Sequence, residues 1–395
     1  MPLRILFALF LVVFIPVVGA EPPPGVPAST NVPGALYPRI LPDNRVIFRV
    51  QAPQAQSVQF RTDKNYKAEK DAAGFWTATT DPQTPGFHYY WLIVDDVQVN
   101  DPASETFYGT GKQASGLEIP EPGREGDYYA AQEVPHGEIR ERWYHSEIIA
   151  GPRRFFIYTP PGYDQNRDTR YPVLYLQHGG GEDERAWPIQ GRVGQIMDNL
   201  IAAGKAQPML IVMERGYAVK PGEAEVPFGP GANANLSPAE MQARTIQRFG
   251  TFEEVLVKDV IPLVDATYRT MPDREHRAIA GFSMGGGQAF MLGLRHLDLF
   301  ASIGGLSGTG GVVGEPTTYY GGVFADSAKF NARMKLLFLG HGSAEPERMM
   351  TGFLGFHQRL TELGIKHDYH VSEGTGHEWL TERRNLREFS ARLFR

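Results

Sequence analysis

Two periodicities divide the chain. Between Arg45 and Val99 apolar residues recur at every second position: Val46, Phe48 and Val50, then Val58 and Phe60, then the run Phe75-Trp76-Thr77-Ala78. After a Pro85-Gly86 turn comes His88-Tyr89-Tyr90-Trp91-Leu92-Ile93-Val94, and an Asp95-Asp96 turn leads back through Val97-Gln98-Val99. Period-two runs bounded by turn residues predict short antiparallel strands that close a small β-sandwich over about 37–108. From Glu138 the pattern changes. Strand candidates at 139–147, 153–159, 172–177, 208–213, 276–282, 301–306, 334–339 and 366–372 alternate with helical patterns. The helical patterns cover 192–203, 252–268, 284–296, 350–363 and 379–394. That alternation predicts an α/β domain over 138–395 with a mostly parallel central sheet. Residues 216–250, rich in Gly, Pro and Asn, break the order and read as a lid or substrate loop above the strand ends.

The other stretches read as an address and two connectors. Arg4 precedes an apolar run, Ile5 to Ala20, that ends in small residues ahead of Glu21 and three prolines. This is the pattern of a cleavable export signal over 1–20. The run contains Pro16 and is shorter than the about 20 residues of a membrane span. The mature chain is therefore expected to be secreted or periplasmic, with no membrane attachment after cleavage. Residues 21–36 read as a flexible lead and 109–137 as a linker packed between the domains.

Composition narrows the chemistry. The 395 residues suit two or three domains. A net charge of −6 argues against nucleic acid or an anionic membrane surface as partner. With no cysteine, a disulfide scaffold, a zinc–thiolate site, an iron–sulfur cluster and a cysteine nucleophile are all excluded. The proposed chemistry calls for no metal or organic cofactor.

The sharpest local signal is Gly281-Phe282-Ser283-Met284-Gly285, preceded by the apolar run Arg277-Ala278-Ile279-Ala280 and followed by a helical pattern. Strand, G-x-S-x-G, helix is the context of a nucleophile elbow. The turn lifts Ser283 above the sheet at a helix N-terminus, and side chains at 281 and 285 would clash there. A serine hydroxyl needs a base. Of the six histidines that follow, His377 sits in a glycine-bounded loop after the last predicted strand, on the same sheet edge as Ser283. The acid should come from the loop after strand Lys335–Leu339, where Glu345 leads and Glu347 is second. Strand Val173–Gln177 ends in His178-Gly179-Gly180-Gly181. Its Gly180 amide and the Met284 amide are the natural oxyanion donors. Trp187, Trp379 and His178 are candidates to line the substrate site.

Several separated blocks, Tyr171–Gly181, Asp273–Gln288 and Gly374–Trp379, together with Pro160–Tyr163 and Asp198–Lys205, resemble the esterase-D-like α/β hydrolases. The resemblance runs over about 138–395 and is closest to the secreted feruloyl and acetyl-xylan esterases. Many of these carry Asp in the acid loop, where this chain has Glu345. Gly74-Phe75-Trp76, Pro85 to Tyr90 and Asp101-Pro102 are similar to the Ig-like modules that precede glycan-branching enzymes and some xylan esterases. In those relatives the module is often carbohydrate-binding, which makes Tyr66, Trp76, Tyr89, Tyr90 and Trp91 candidate stacking faces. The resemblance implies a serine ester hydrolase whose partner is an acylated plant polysaccharide or oligosaccharide. A siderophore trilactone esterase, a sugar-binding protein with a decayed hydrolase domain and an acyltransferase are the rival readings.

Overall fold

In the computed structural model, which describes residues 24–224, 226, 236–309 and 316–395, the period-two runs pair as two antiparallel sheets. The export signal expected over 1–20 lies outside the described residues. The strands, in chain order, begin with β1 (Val26–Pro27), β2 (Arg39–Ile40), β3 (Val46–Gln51), β4 (Val58–Arg61), β5 (Asn65–Lys67) and β6 (Glu69–Lys70). They continue with β7 (Phe75–Thr79), β8 (Gly86–Val94), β9 (Val97–Val99), β10 (Thr106–Gly109) and β11 (Lys112–Ile119). One sheet has the order β1-β2-β3-β7-β6; the other runs β10-β11-β8-β4-β5, with β9 also on β8. Val46, Phe48, Val58, Phe60, Tyr90 and Leu92 fill the space between them, with the Phe48 and Phe60 rings stacked at 4.8 Å. Of the candidate stacking faces, Trp76 and Tyr90 are therefore core, and Tyr66 packs against it.

Two stretches expected to be connectors are structured. β1, inside the supposed flexible lead, pairs with β2, and Asn31 bridges to Ser104. β11, inside the supposed linker, pairs with β10 and β8 and extends the module to Ile119. Its residues from Ala114 onward are all buried, because Leu117 and Ile119 enter the sandwich core while Glu118 faces the α/β domain. A strand covered on both faces shows no clean alternation.

The α/β domain carries β12 (Glu138–Ser146), β13 (Gly151–Thr159), β14 (Val173–Gln177), β15 (Leu210–Glu214), β16 (Arg277–Phe282), β17 (Ser302–Leu306), β18 (Leu336–Gly342) and β19 (Asp368–Ser372). They form one sheet in the order β12-β13-β15-β14-β16-β17-β18-β19. The sheet is mixed, where a mostly parallel one was expected. β12 pairs with β13, and β13 with β15, antiparallel; the strands from β15 to β19 run parallel. The four residues between β12 and β13 are too few for a crossover, so a hairpin is the only connection available.

The helices are α1 (Ala186–Ile189), α2 (Val193–Ala202), α3 (Pro238–Glu254), α4 (Ile261–Thr267), α5 (Met284–Arg295), α6 (Ser327–Arg333), α7 (Glu347–Glu362) and α8 (Trp379–Ser390). α3 lies mostly within the stretch read as a loop. Ser237 caps it, with its hydroxyl accepting from the Glu240 amide and the Glu240 carboxylate accepting from the Ser237 amide. A wide turn over Val255–Val260 joins α3 to α4. Buried side chains of α3, α4, α5 and α7 cover one face of the sheet, and those of α2 and α8 cover the other. Phe87 of β8 belongs to that second core, so the β-module is packed into the α/β domain. Among the described residues, no helix is long and apolar enough to cross a membrane.

The strand order reverses between β14 and β16: the chain moves outward from β14 to β15, then returns to β14's other side. In such sheets the crevice at the carboxyl ends of the strands, at the reversal, is where ligands sit. Here those ends carry His178-Gly179-Gly180-Gly181 and Ser283.

Candidate active site

Ser283 stands between β16 and α5 with φ 53° and ψ −109°, a conformation that L-residues avoid. Close backbone approach enforces the flanking glycines. A Cβ on Gly281 would lie 2.4 Å from the Gly285 carbonyl carbon, and one on Gly285 would lie 2.6 Å from the carbonyl oxygens of Gln177 and His178. The Ser283 amide donates to the Leu306 carbonyl, which fixes the elbow to the next strand.

Ser283 Oγ is 2.8 Å from His377 Nε2. His377 Nδ1 faces Glu345 Oε2 at 3.4 Å, and Glu345 is buried. Glu345 Oε1 accepts from Ser307 Oγ at 2.5 Å and from the Gly342 amide at 3.0 Å. Burial alone would raise this carboxyl's pKa; the hydrogen bonds from His377, Ser307 and Gly342 outweigh it and hold the pKa below the usual glutamate value. Glu347 is exposed at the first turn of α7. Glu345→Ala should therefore lower kcat by about 10⁴-fold, and Glu347→Ala should leave it within about twofold. Steady-state rates on an aryl ester decide between the two carboxylates.

The oxyanion side is equally defined. Met284 opens α5, where first-turn amides have no carbonyl four residues back to bind. The glycine loop is pinned on both sides of Gly180. The Gly179 amide donates to Glu182 Oε2 at 3.1 Å; the Gly181 amide donates to Tyr217 Oη at 2.7 Å, and its carbonyl accepts from the Gly111 amide at 2.7 Å. Gly180 lines a cavity of about 400 Å³ together with Ser283, His377, Phe282 and Trp379.

Glu182, which sequence reasoning missed, holds this loop. Its Oε1 accepts from Tyr89 Oη of the β-module and from Trp379 Nε1, both at 3.0 Å. Burial pushes its pKa from 4.5 up to about 7 despite these donors. The folded state then binds the proton more tightly than the unfolded chain. The associated stability is complete below about pH 4.5 and is lost as pH rises through about 7. Glu214, also buried and raised to about 7 against the pull of Arg153, acts in the same sense. Glu182→Gln should flatten part of the fall in Tm between pH 5 and 8, by several degrees, in melts across a pH series. An unchanged slope would mean that Glu182 stays ionised throughout.

The three substrate-lining candidates divide. Trp379 does line the cavity, with its indole N–H held by Glu182. Trp187 does not: it is 1% exposed, donates to the Gln177 carbonyl at 2.9 Å and packs edge-on against Trp379. His178 is also buried away from the cavity. Its Nδ1 pairs with the Gly179 carbonyl and its Nε2 accepts from the Gly216 amide, so it ties β14's end to the loop after β15. Burial lowers its pKa and keeps the ring neutral. Behind the acid lies Glu382, fully buried with neither oxygen hydrogen-bonded. Burial, with the nearby Glu345 charge adding to it, raises its pKa well above the usual value and keeps it protonated.

An elbow serine, a histidine in reach and a glycine loop at the switch point define a hydrolase-type site. The family model described as putative esterase matches residues 146–386, and the chain belongs to this esterase family. Among curated proteins, it is 36% identical over 380 residues to an endo-1,4-beta-xylanase/feruloyl esterase of Xylanibacter ruminicola. The match covers 94% of this chain and 47% of that protein, so the chain spans about half the relative's length. Among solved structures, a CE1 ferulic acid esterase of Anaeromyces mucronatus in complex with ferulic acid aligns at 25% identity and TM-score 0.55. It covers 68% of this chain and 95% of its own. The enterobactin esterase of Shigella flexneri shares the fold over 88% of this chain and 92% of its own, at TM-score 0.62 and 18% identity.

Proposed function

We propose that this chain is an exported serine carboxylic-ester hydrolase that removes feruloyl or acetyl groups from xylan-type polysaccharide through an acyl-enzyme. The observation that carries the reading is the continuous contact from Ser283 Oγ to His377 Nε2 and from His377 Nδ1 to Glu345, opening onto the cavity at the strand-order reversal. Ser283 attacks the ester carbonyl while His377 takes its proton. Glu345 orients the imidazole and stabilises its charged form. The Gly180 and Met284 amides hold the negative charge that develops on the carbonyl oxygen. His377 returns its proton to the departing sugar alcohol, and water then cleaves the acyl-serine by the reverse sequence.

Phe87, Phe282 and Trp379 give the cavity an apolar, aromatic lining. Such a lining suits a feruloyl ring, whereas an acetyl group would leave most of about 400 Å³ unfilled. The relative from Xylanibacter supports the same substrate class. The shared fold with an enterobactin esterase keeps a catecholate trilactone as the competing substrate. Release from feruloylated xylan, acetylated xylan and a catecholate trilactone, followed by chromatography, tests the reading. Ferulate release is the expected result, and hydrolysis of the trilactone alone would overturn it.

A further inference from the structure

Half of the residues lining the cavity above Ser283 come from the β-module. The period of β8 explains how. Tyr90 and Leu92 point into the sandwich core, so Phe87, Tyr89 and Trp91 point the other way, onto the α/β domain. Phe87 is spent in that domain's core, and Tyr89 on Glu182. The Trp91 ring is approached within the module by the Arg61 guanidinium at 5.3 Å and the Lys112 ammonium at 5.9 Å, but its indole N–H is not engaged. It is 8% exposed and its Nε1 has no hydrogen-bond partner. The other buried tryptophans have theirs: Trp76 donates to the Ala52 carbonyl, Trp187 to the Gln177 carbonyl and Trp379 to Glu182. An enclosed indole N–H without an acceptor is unfavourable, so a ligand that brings an acceptor there is favoured. Beside it on the cavity wall stand Thr62 and the exposed carboxylate of Asp63.

The module also holds the residue next to the proposed general acid. His377 must protonate the leaving oxygen, and the next residue, Glu378, is held by the module: Thr84 Oγ1 donates to its Oε2 at 3.3 Å, and His88 Nδ1 lies 4.0 Å from the same oxygen. An aromatic edge with a free donor, next to a hydroxyl and a carboxylate that accepts, is the chemistry that recognises a ring bearing several hydroxyls.

We propose that the Trp91–Asp63 wall of the β-module is the subsite for the alcohol half of the ester, the sugar that carries the acyl group. The module then belongs to the catalytic cavity and is not a separate sugar-binding appendage. The inference rests on the ester-hydrolase reading above. Trp91→Phe removes the donor and keeps the ring; Asp63→Ala changes an exposed residue and spares the fold. Each is expected to raise KM for a feruloyl-arabinosyl oligosaccharide about five- to tenfold, with kcat/KM for methyl ferulate within twofold of the unmodified chain. Equal losses on both substrates, or no loss on the oligosaccharide, would overturn the subsite. An unmodified chain that cleaves methyl ferulate but not the oligosaccharide would overturn the subsite and leave the hydrolase standing. Cleavage of neither ester would overturn the hydrolase reading itself.

Discussion

Ser283→Ala is expected to lower kcat on methyl ferulate by about 10⁶-fold, to the residual rate that oxyanion donors and binding sustain without a nucleophile. The size of the effect follows from the site acting as a unit. On the proposed mechanism, His377 and Glu345 have no function in acyl transfer once the hydroxyl they contact is gone. The fold should be untouched, because alanine meets the same strained φ of 53° as serine. Ser283→Gly should melt higher than Ser283→Ala, since glycine adopts that conformation without the Cβ penalty. A fluorophosphonate probe should label the unmodified chain and neither variant. Full turnover by Ser283→Ala would sink the mechanism.

The second large effect concerns how the module is held. Arg383 on α8 is completely buried. It donates to both oxygens of Glu118 on β11, at 2.7 and 2.9 Å, and to the Gln190 carbonyl, while its guanidinium lies 4.6 Å from the Tyr129 ring centroid. Burial would raise the Glu118 pKa; the Arg383 charge outweighs it and keeps the carboxylate ionised. Glu118→Ala leaves a buried guanidinium facing a void. The expected loss is about 3–5 kcal/mol, about 5 °C in Tm, with esterase activity lost over the same temperature range. Combining Glu118→Leu with Arg383→Met should recover most of it, because no charge is then left unpaired. Thermal melts of the two variants beside the unmodified chain test the argument. A Glu118→Ala melt like that of the unmodified chain would show that the module is held by apolar contact alone.

Much of this architecture was legible in the sequence because its signals are local. The strand before Ser283, the glycines at 281 and 285 and the loop carrying His377 each state their geometry within about six residues. The inner strands of the α/β domain, β14 to β18, announced themselves as buried runs for the same reason. What escaped depends on distant partners. β11 has no alternation because a second domain covers its outer face. Trp187 and His178 looked like substrate residues because aromatic and imidazole side chains are common near sites, yet the Gln177 carbonyl and the Gly216 amide claim them. α3 was hidden behind Gly- and Pro-rich sequence, although Ser237 and Glu240 already stood at capping-box spacing. Glu182 carried no motif at all; only the meeting of Tyr89, Trp379 and Gly179 around it reveals its task. The mixed sheet follows from the four-residue connection between β12 and β13, which is too short for a crossover.

The docking of β8 and β11 on α8 bears on how such enzymes are reassembled. In this chain the stretch that resembles a linker contains a strand of the sandwich and ends one residue before the β12 hairpin. A cut there would bare Leu380, which Gly86 meets so closely that an added Cβ would lie 2.8 Å from the leucine Cβ. It would also strip one wall from the catalytic crevice. The transferable cassette is the β-sandwich and esterase domain together, and its upstream border falls before Val26.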